Sequence, residues 1–226
     1  MLLTPIEQYG DWFFKRDDKH HVIDQANGSK ARMIHDTIEY FLPKIQSEYQ
    51  NTVKTKNQQN THTFYNMEAI CKKFGVKYVN YTDTDSYNQS KFYPMQQRMK
   101  STDFFYYDST IAQVENIPAN LDNLVVSCGS CQTLYAIMQG LIKFNNKPRY
   151  LIAVCNKAIN PICEPYISHF NFYQYDRTQF QYDVIDSPFD MDTIHELKCW
   201  SFVNQKVKLS GSKLMWITGN YNFLRK

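Results

Sequence analysis

Between the apolar run 124–127 and an amphipathic stretch carrying Leu134, Ile137, Met138, Leu141 and Ile142 stands the turn Cys128-Gly129-Ser130-Cys131-Gln132-Thr133. A short turn from a buried strand into a helix leaves several backbone N–H groups unpaired at the positive end of the helix dipole, and such a turn can seat a phosphate. Ser130 and Thr133 can add hydroxyl donors. The plainer alternative is an ordinary strand-to-helix turn in which Thr133 helps to cap the helix.

A second chemical feature is Lys30, which follows Gly28-Ser29 and opens a run with apolar positions Ile34, Ile38, Phe41 and Leu42. The helix dipole disfavours a lysine there, so the position requires either solvent exposure or a chemical task. An amine whose pKa is lowered by burial and positive surroundings can form a Schiff base with an aldehyde cofactor. Taken alone, the residue also reads as a solvated surface lysine.

Six cysteines, at 71, 128, 131, 155, 163 and 199, lie mostly in or beside apolar runs, where reduced cysteine packs as a small hydrophobe. Cys128 and Cys131 form a lone CxxC, a redox pair or half a zinc site, but no second CxxC or H-x3-H accompanies it, so no metal is expected. His20, His21, His169 and His195 fall in no metal-like spacing and read as bystanders.

The elements that must position these residues alternate between strand and helix. Residues 11–15 read as a buried strand, followed by the helix from Lys30, which Pro43 is expected to stop. The polar tract 46–63 carries no sustained period and reads as loop with room for one short element. Phe64, Met67, Cys71 and Phe74 mark a helix face capped by Gly75, and 76–82 a strand. A helix around 90–100, interrupted by Pro94, and an aromatic strand at 103–108 are expected next. Strands at 124–127, 149–155 and 213–218 complete the reading. Such alternation predicts an α/β fold with a mostly parallel sheet and function at the carboxyl ends of its strands.

The chain has 226 residues, 43% hydrophobic and 15% aromatic, enough for one core or two small lobes sharing a cleft. Twenty-five Lys and Arg against 22 Asp and Glu leave a charge of +3, which announces neither a nucleic-acid nor a membrane partner. No window is long and apolar enough to span a bilayer, and "MLLTPIEQYGDW" lacks the pattern of a signal peptide, so the cytoplasm is the expected compartment.

The segment "FFKRDD" followed by "NGSKARMIHDTIEYFL" resembles the pyridoxal-phosphate enzymes of the tryptophan synthase beta-like superfamily, fold type II. It is most similar to their D-cysteine desulfhydrase and 1-aminocyclopropane-1-carboxylate deaminase branch, with its K-R-[DE]-D and G-G-N-K-x-R-K-L-E motifs. The match runs through Lys15, Arg16, Asp17, Asp18, Gly28, Lys30 and Arg32. The resemblance makes Lys30 the Schiff-base lysine and aligns Gly129, Ser130, Cys131, Gln132 and Thr133 with the family's phosphate loop, S-G-[ST]-G-G-T. It also aligns Thr218 and Gly219 of "MWITGN" with H-T-G-G, whose threonine can hydrogen-bond the pyridine nitrogen.

The departures are specific. The branch's Q-S-N-H motif is represented only approximately, by Asn60, Thr61 and His62, on which the resemblance places ring-oxygen and substrate contacts. Cys131 and Gln132 replace two glycines of the phosphate loop. The chain is also shorter than the family's usual length.

The resemblance implies a reduced type II fold with flanking helices, a main cofactor-binding lobe from 1–42 and 115–226, and a small lobe from 43–114. It implies pyridoxal 5'-phosphate as cofactor, an amino acid or related amine as substrate, lyase or deaminase chemistry at Cα and Cβ, and a homodimer. A neutral Thr218 at the pyridine nitrogen favours β elimination or replacement over transamination. Two further readings stand beside this one. One is a degenerate relative used as a binding or structural protein. The other, suggested by AT-rich composition, is a phage-type enzyme acting on an amino-acid adduct of a nucleotide or DNA base.

Overall fold

Alternating side chains along four parallel strands divide the interior into two cores. In β8 (Asn123–Cys128), Leu124, Val126 and Cys128 face one side and Val125 the other; in β9 (Tyr150–Cys155), Leu151, Ala153 and Cys155 oppose Ile152 and Val154. Strands buried on both faces read as nearly continuous apolar runs, as these do. The computed structural model describes residues 2–23, 26–55, 62–80, 93–94 and 107–220, the side chains of 62, 93 and 94 excepted.

The chain opens with the hairpin β1 (Ile6–Tyr9) and β2 (Trp12–Arg16), then β3 (His21–Ile23), β4 (Ala26–Asn27) and α1 (Gly28–Glu48). Next come β5 (Thr52–Thr55), α2 (His62–Lys73), β6 (Lys77–Asn80), β7 (Tyr93–Pro94) and α3 (Asp108–Ala112). After β8 follow α4 (Gln132–Lys143), β9, α5 (Glu164–Ile167), β10 (Phe172–Asp176), α6 (Glu196–Lys206) and β11 (Lys213–Ile217).

The large sheet has the order β1-β2-β11-β8-β9-β10 and is parallel except at the β1–β2 hairpin. Helix α4 covers one face with Leu134, Ile137, Met138 and Leu141, all fully buried, each worth about 1.5–3 kcal/mol of hydrophobic burial. The opposite face is covered by Phe202 and Val203 of α6, with Trp200 packing edge-on to Trp12. A smaller parallel sheet, β6-β5-β7, shares a separate core with α1 and α2 through Ile34, Ile38, Ile45, Val53, Met67 and Ile70. Among the described residues no helix is long and apolar enough to cross a membrane.

The mixed α/β architecture with a mostly parallel sheet agrees with the sequence expectation, and three local expectations are corrected. Helix α1 does not stop at Pro43 but continues to Glu48. The ring removes one N–H donor, and the carbonyl it would have served belongs to the exposed Glu39, so water can take the vacant place, while buried Ile45 holds the last turn down. The tract 46–63, read as loop with one short element, holds β5 as that element, all of it buried, and also the end of α1 and the start of α2. Pro94, expected to interrupt a helix, lies in β7 at an edge of the small sheet, where a missing donor is tolerated. The remainder of that expected helix, and residues 103–106 of the aromatic run, lie outside the described residues.

Candidate active site

The start of α1 is fixed against the end of β11. The Ser29 amide donates to the Thr218 carbonyl at 2.9 Å, and Ser29 Oγ donates to the same oxygen at 3.3 Å. Gly28 makes this approach possible: its φ is +81°, and a Cβ there would stand 2.2 Å from the Thr218 carbonyl oxygen and 2.8 Å from the Cα of Gly219. Ser29 Oγ also shares a 3.0 Å hydrogen bond with Thr133 Oγ1 in the first turn of α4. Three segments far apart in sequence are therefore joined within one residue of Lys30.

The K-R-D-D segment forms the support behind this junction. Buried Asp17 accepts from Arg32 at 2.6 Å, from the Trp216 indole at 2.9 Å and from Thr4 at 2.8 Å, linking β2, α1 and β11. Arg16 forms a two-point pair with Asp18, at 2.8 and 2.7 Å, and a further bond to Glu7 at 2.6 Å. Lys15 is buried with its amine on the Thr4 carbonyl at 2.8 Å, and burial lowers its pKa to about 8. These motif residues act by positioning Lys30 and do not line its cleft.

The cleft lies at the carboxyl ends of β8 and β11. Its walls are Lys30, Ser127, Cys128, the 129–133 turn, Leu134, His195 and Thr218. Its cavity volume is about 30 Å³, so the cleft is shallow and tightly lined. Lys30 is partly exposed, and its amine makes no hydrogen bond or ion pair with any described residue. Desolvation lowers its pKa below the usual 10.5, an effect opposed by the carboxylates of Glu196 and Asp192 and assisted by Lys157.

Facing Lys30, α4 begins with Cys131 as N-cap in the left-handed conformation, φ 64°, and no side chain caps the free amides. Cys131 thus takes a backbone conformation that glycine adopts most readily. The donor set suits a phosphate: free helix amides, the Ser130 and Thr133 hydroxyls, and the buried Gln132 Nε2, which has no hydrogen-bond partner. Cys131 and Gln132, which stand where the resemblance expects glycines, both line the cleft.

Of the residues expected from sequence, Lys30, Gly129, Ser130, Cys131, Gln132, Thr133 and Thr218 come together in the cleft wall. Gly219 is buried behind them against Gly28. Asn60 and Thr61 lie outside the described residues; His62 opens α2 with its backbone, and its side chain is likewise outside them.

Two groups were not expected. His195, read as a bystander, is a wall of the cleft, its Cε1 3.7 Å from where a Cβ on Gly129 would sit. Glu196, fully buried at the start of α6, accepts from the Thr218 amide at 3.2 Å and from its hydroxyl. Burial and neighbouring Asp192 push its pKa up to about 8, against the opposing pull of the Thr218 bonds. The Asp192 carboxylate in turn accepts from the amides of Ile194 and His195, at 2.9 and 3.0 Å, and so fixes the start of α6.

No family model matches this chain, and no curated protein matches it. Among solved structures, its fold is similar to that of an O-acetylserine dependent cystathionine beta-synthase from Helicobacter pylori, with a TM-score of 0.59 and 13% sequence identity. The correspondence covers 99% of this chain and 94% of that one. At this identity the likeness establishes a shared fold, running the length of the chain, and leaves the chemistry to be argued from the cleft.

Proposed function

We propose that the chain is a pyridoxal-phosphate-dependent enzyme of the lyase or deaminase type, acting at Cα and Cβ of an amino acid or related amine. The observation that carries this reading is the convergence of the unpaired Lys30 amine, the open amino end of α4 and Thr218 on one cleft. The motif resemblance and the fold shared with a cystathionine beta-synthase support it from two other directions. In this reading the large sheet and the start of α1 form the cofactor lobe, and the small sheet with α2 forms the second lobe. Two copies of the chain pair as a dimer.

Bound in the cleft, pyridoxal phosphate supplies an electron sink that acidifies the substrate's Cα–H. The chain's own residues do the rest. Ser130, Thr133, Gln132 and the α4 amides hold the phosphate. Lys30, with its pKa depressed, would hold the cofactor's aldehyde through Nζ and would serve as the base for the substrate's Cα proton. Thr218 would contact the ring, with Glu196 fixing its hydroxyl. Asn60, Thr61 and His62 contribute the substrate side by analogy with the branch.

One observation favours a second reading, a non-catalytic binding protein on the same fold: the cleft has a cavity volume of only about 30 Å³. A single experiment separates the two. The purified chain is mixed with pyridoxal phosphate, its visible absorbance recorded, and the adduct reduced with borohydride and mapped. The enzymatic reading expects a visible band and a label on Lys30 that Lys30→Ala abolishes. No band, or equal labelling of the variant, would leave only the binding protein.

A further inference from the structure

Beneath the turn that opens α4, four thiols from separate segments meet in the large core. β8 and β9 pair in parallel register with Cys128 directly beside Cys155, both on the face that α4 covers. Cys131 reaches in from the N-cap of α4. The Sγ atoms of Cys128, Cys131 and Cys155 all lie within 4.8 Å of one another. Cys163, at the end of the short helical turn Pro161–Cys163, adjoins Cys131 and points its thiol at the Cys131 carbonyl, 3.7 Å away. All four are free and at most 4% exposed.

Ordinary hydrophobic packing does not explain this arrangement. Dispersing sulfurs through a core is common, but converging three from a strand end, a helix cap and a neighbouring strand end creates a concentrated set of soft donors. Tetrahedral zinc holds thiolates at about 2.3 Å, which places neighbouring sulfurs about 3.8 Å apart, a separation that small side-chain rotations can reach from the present one. The C-x-x-C spacing of Cys128 and Cys131 is the usual one for two ligands to the same ion. Cys131 also adopts a left-handed backbone, φ 64°, that a non-glycine residue takes only at some cost. That conformation brings its sulfur inward to the other three.

We propose that Cys128, Cys131 and Cys155, completed by Cys163, form a thiolate site for a thiophilic d10 cation such as Zn2+. Each coordinated thiol yields its proton to solvent as its sulfur–metal bond forms, and no electron is transferred. The cation would tie the 129–133 turn to the end of β9 and so set the shape of the cleft base, whichever ligand the cleft takes. The sequence expectation of no metal rested on the absence of a second CxxC; the partners here come from strand register, which sequence spacing does not display.

The test uses the full chain, purified under reducing conditions, stripped with a chelator and titrated with Cd2+. An ultraviolet thiolate-to-metal charge-transfer band saturating at one ion per chain, with proton release, is expected. Cys155→Ser should weaken binding at least tenfold, whereas Cys71→Ser, in the small core, should leave it unchanged. A 113Cd resonance from the unaltered chain provides a reading independent of any variant. A shift typical of sulfur ligands supports the site, and one typical of nitrogen and oxygen ligands overturns it. Failure to form the band, or an undiminished band in Cys155→Ser, would equally overturn it, with no bearing on pyridoxal phosphate.

Discussion

Glu196 accepts two hydrogen bonds from Thr218, one from the amide and one from the hydroxyl, so a buried carboxyl governs the residue at the end of the last strand. Its pKa is raised from 4.5 to about 8 by burial and by Asp192, meaning that the folded chain holds this proton more tightly than the unfolded one. Stability from this group is complete below pH about 4.5 and is lost as pH rises through about 8. Urea unfolding of the chain without cofactor, followed across that window, should show a decline of a few kcal/mol. In Glu196→Gln the decline should largely disappear; an unchanged slope would refute the assignment.

Lys30 provides a second pH-dependent readout. Desolvation lowers its pKa below 10.5, and Glu196 and Asp192 oppose that shift. Competitive acylation of the native chain, mapped residue by residue against pH, should find the Lys30 amine reactive at lower pH than an ordinary lysine. Glu196→Gln, which removes one opposing charge, should move the midpoint lower still. Movement to higher pH would contradict the electrostatic account.

Asp17→Asn should be severe. The substitution leaves the Arg32 guanidinium, 2% exposed, without its countercharge, and breaking a buried pair from one side costs about 3–5 kcal/mol. Denaturant midpoints measure that loss. Asp18→Asn should cost less, because Arg16 retains Glu7.

Gly28→Ala tests the close approach itself. The added methyl group meets the Thr218 carbonyl at 2.2 Å and the backbone is at positive φ, so a loss of about 2 kcal/mol or more is expected in thermal unfolding. If pyridoxal phosphate labels Lys30 in the parent chain, that labelling should fall as well, since Ser29 and Lys30 must shift away from Thr218. Gly10→Ala, also at positive φ but in open space, separates backbone strain from collision.

The parts of this site legible in sequence are those where local chemistry and location coincide. Lys30 opens an amphipathic pattern, the 129–133 turn sits between two clear apolar elements, and Thr218 closes a strand. Glu196 escaped notice because α6 buries polar Ser201 and Glu196 itself alongside Cys199, Phe202 and Val203, which blurs the helical period. Its signal was local: Asp192 followed by Glu196 resembles a helix start, and that start carries His195 into the cleft. β10 was equally obscure, since its residues are partly to largely exposed at the sheet edge and carry no apolar run. The cysteine convergence depended on β8–β9 register, a relation between strands that neither strand encodes alone.

The persistence of α1 through Pro43 has a mechanical consequence. Eighteen residues separate Lys30 from Glu48, and at 1.5 Å per residue the helix extends about 27 Å from the cleft to the threshold of the small sheet. With Asp17 gripping Arg32 near one end and Ile45 buried near the other, the helix is anchored at both ends, so one continuous rod joins the wall of the cleft to the small sheet.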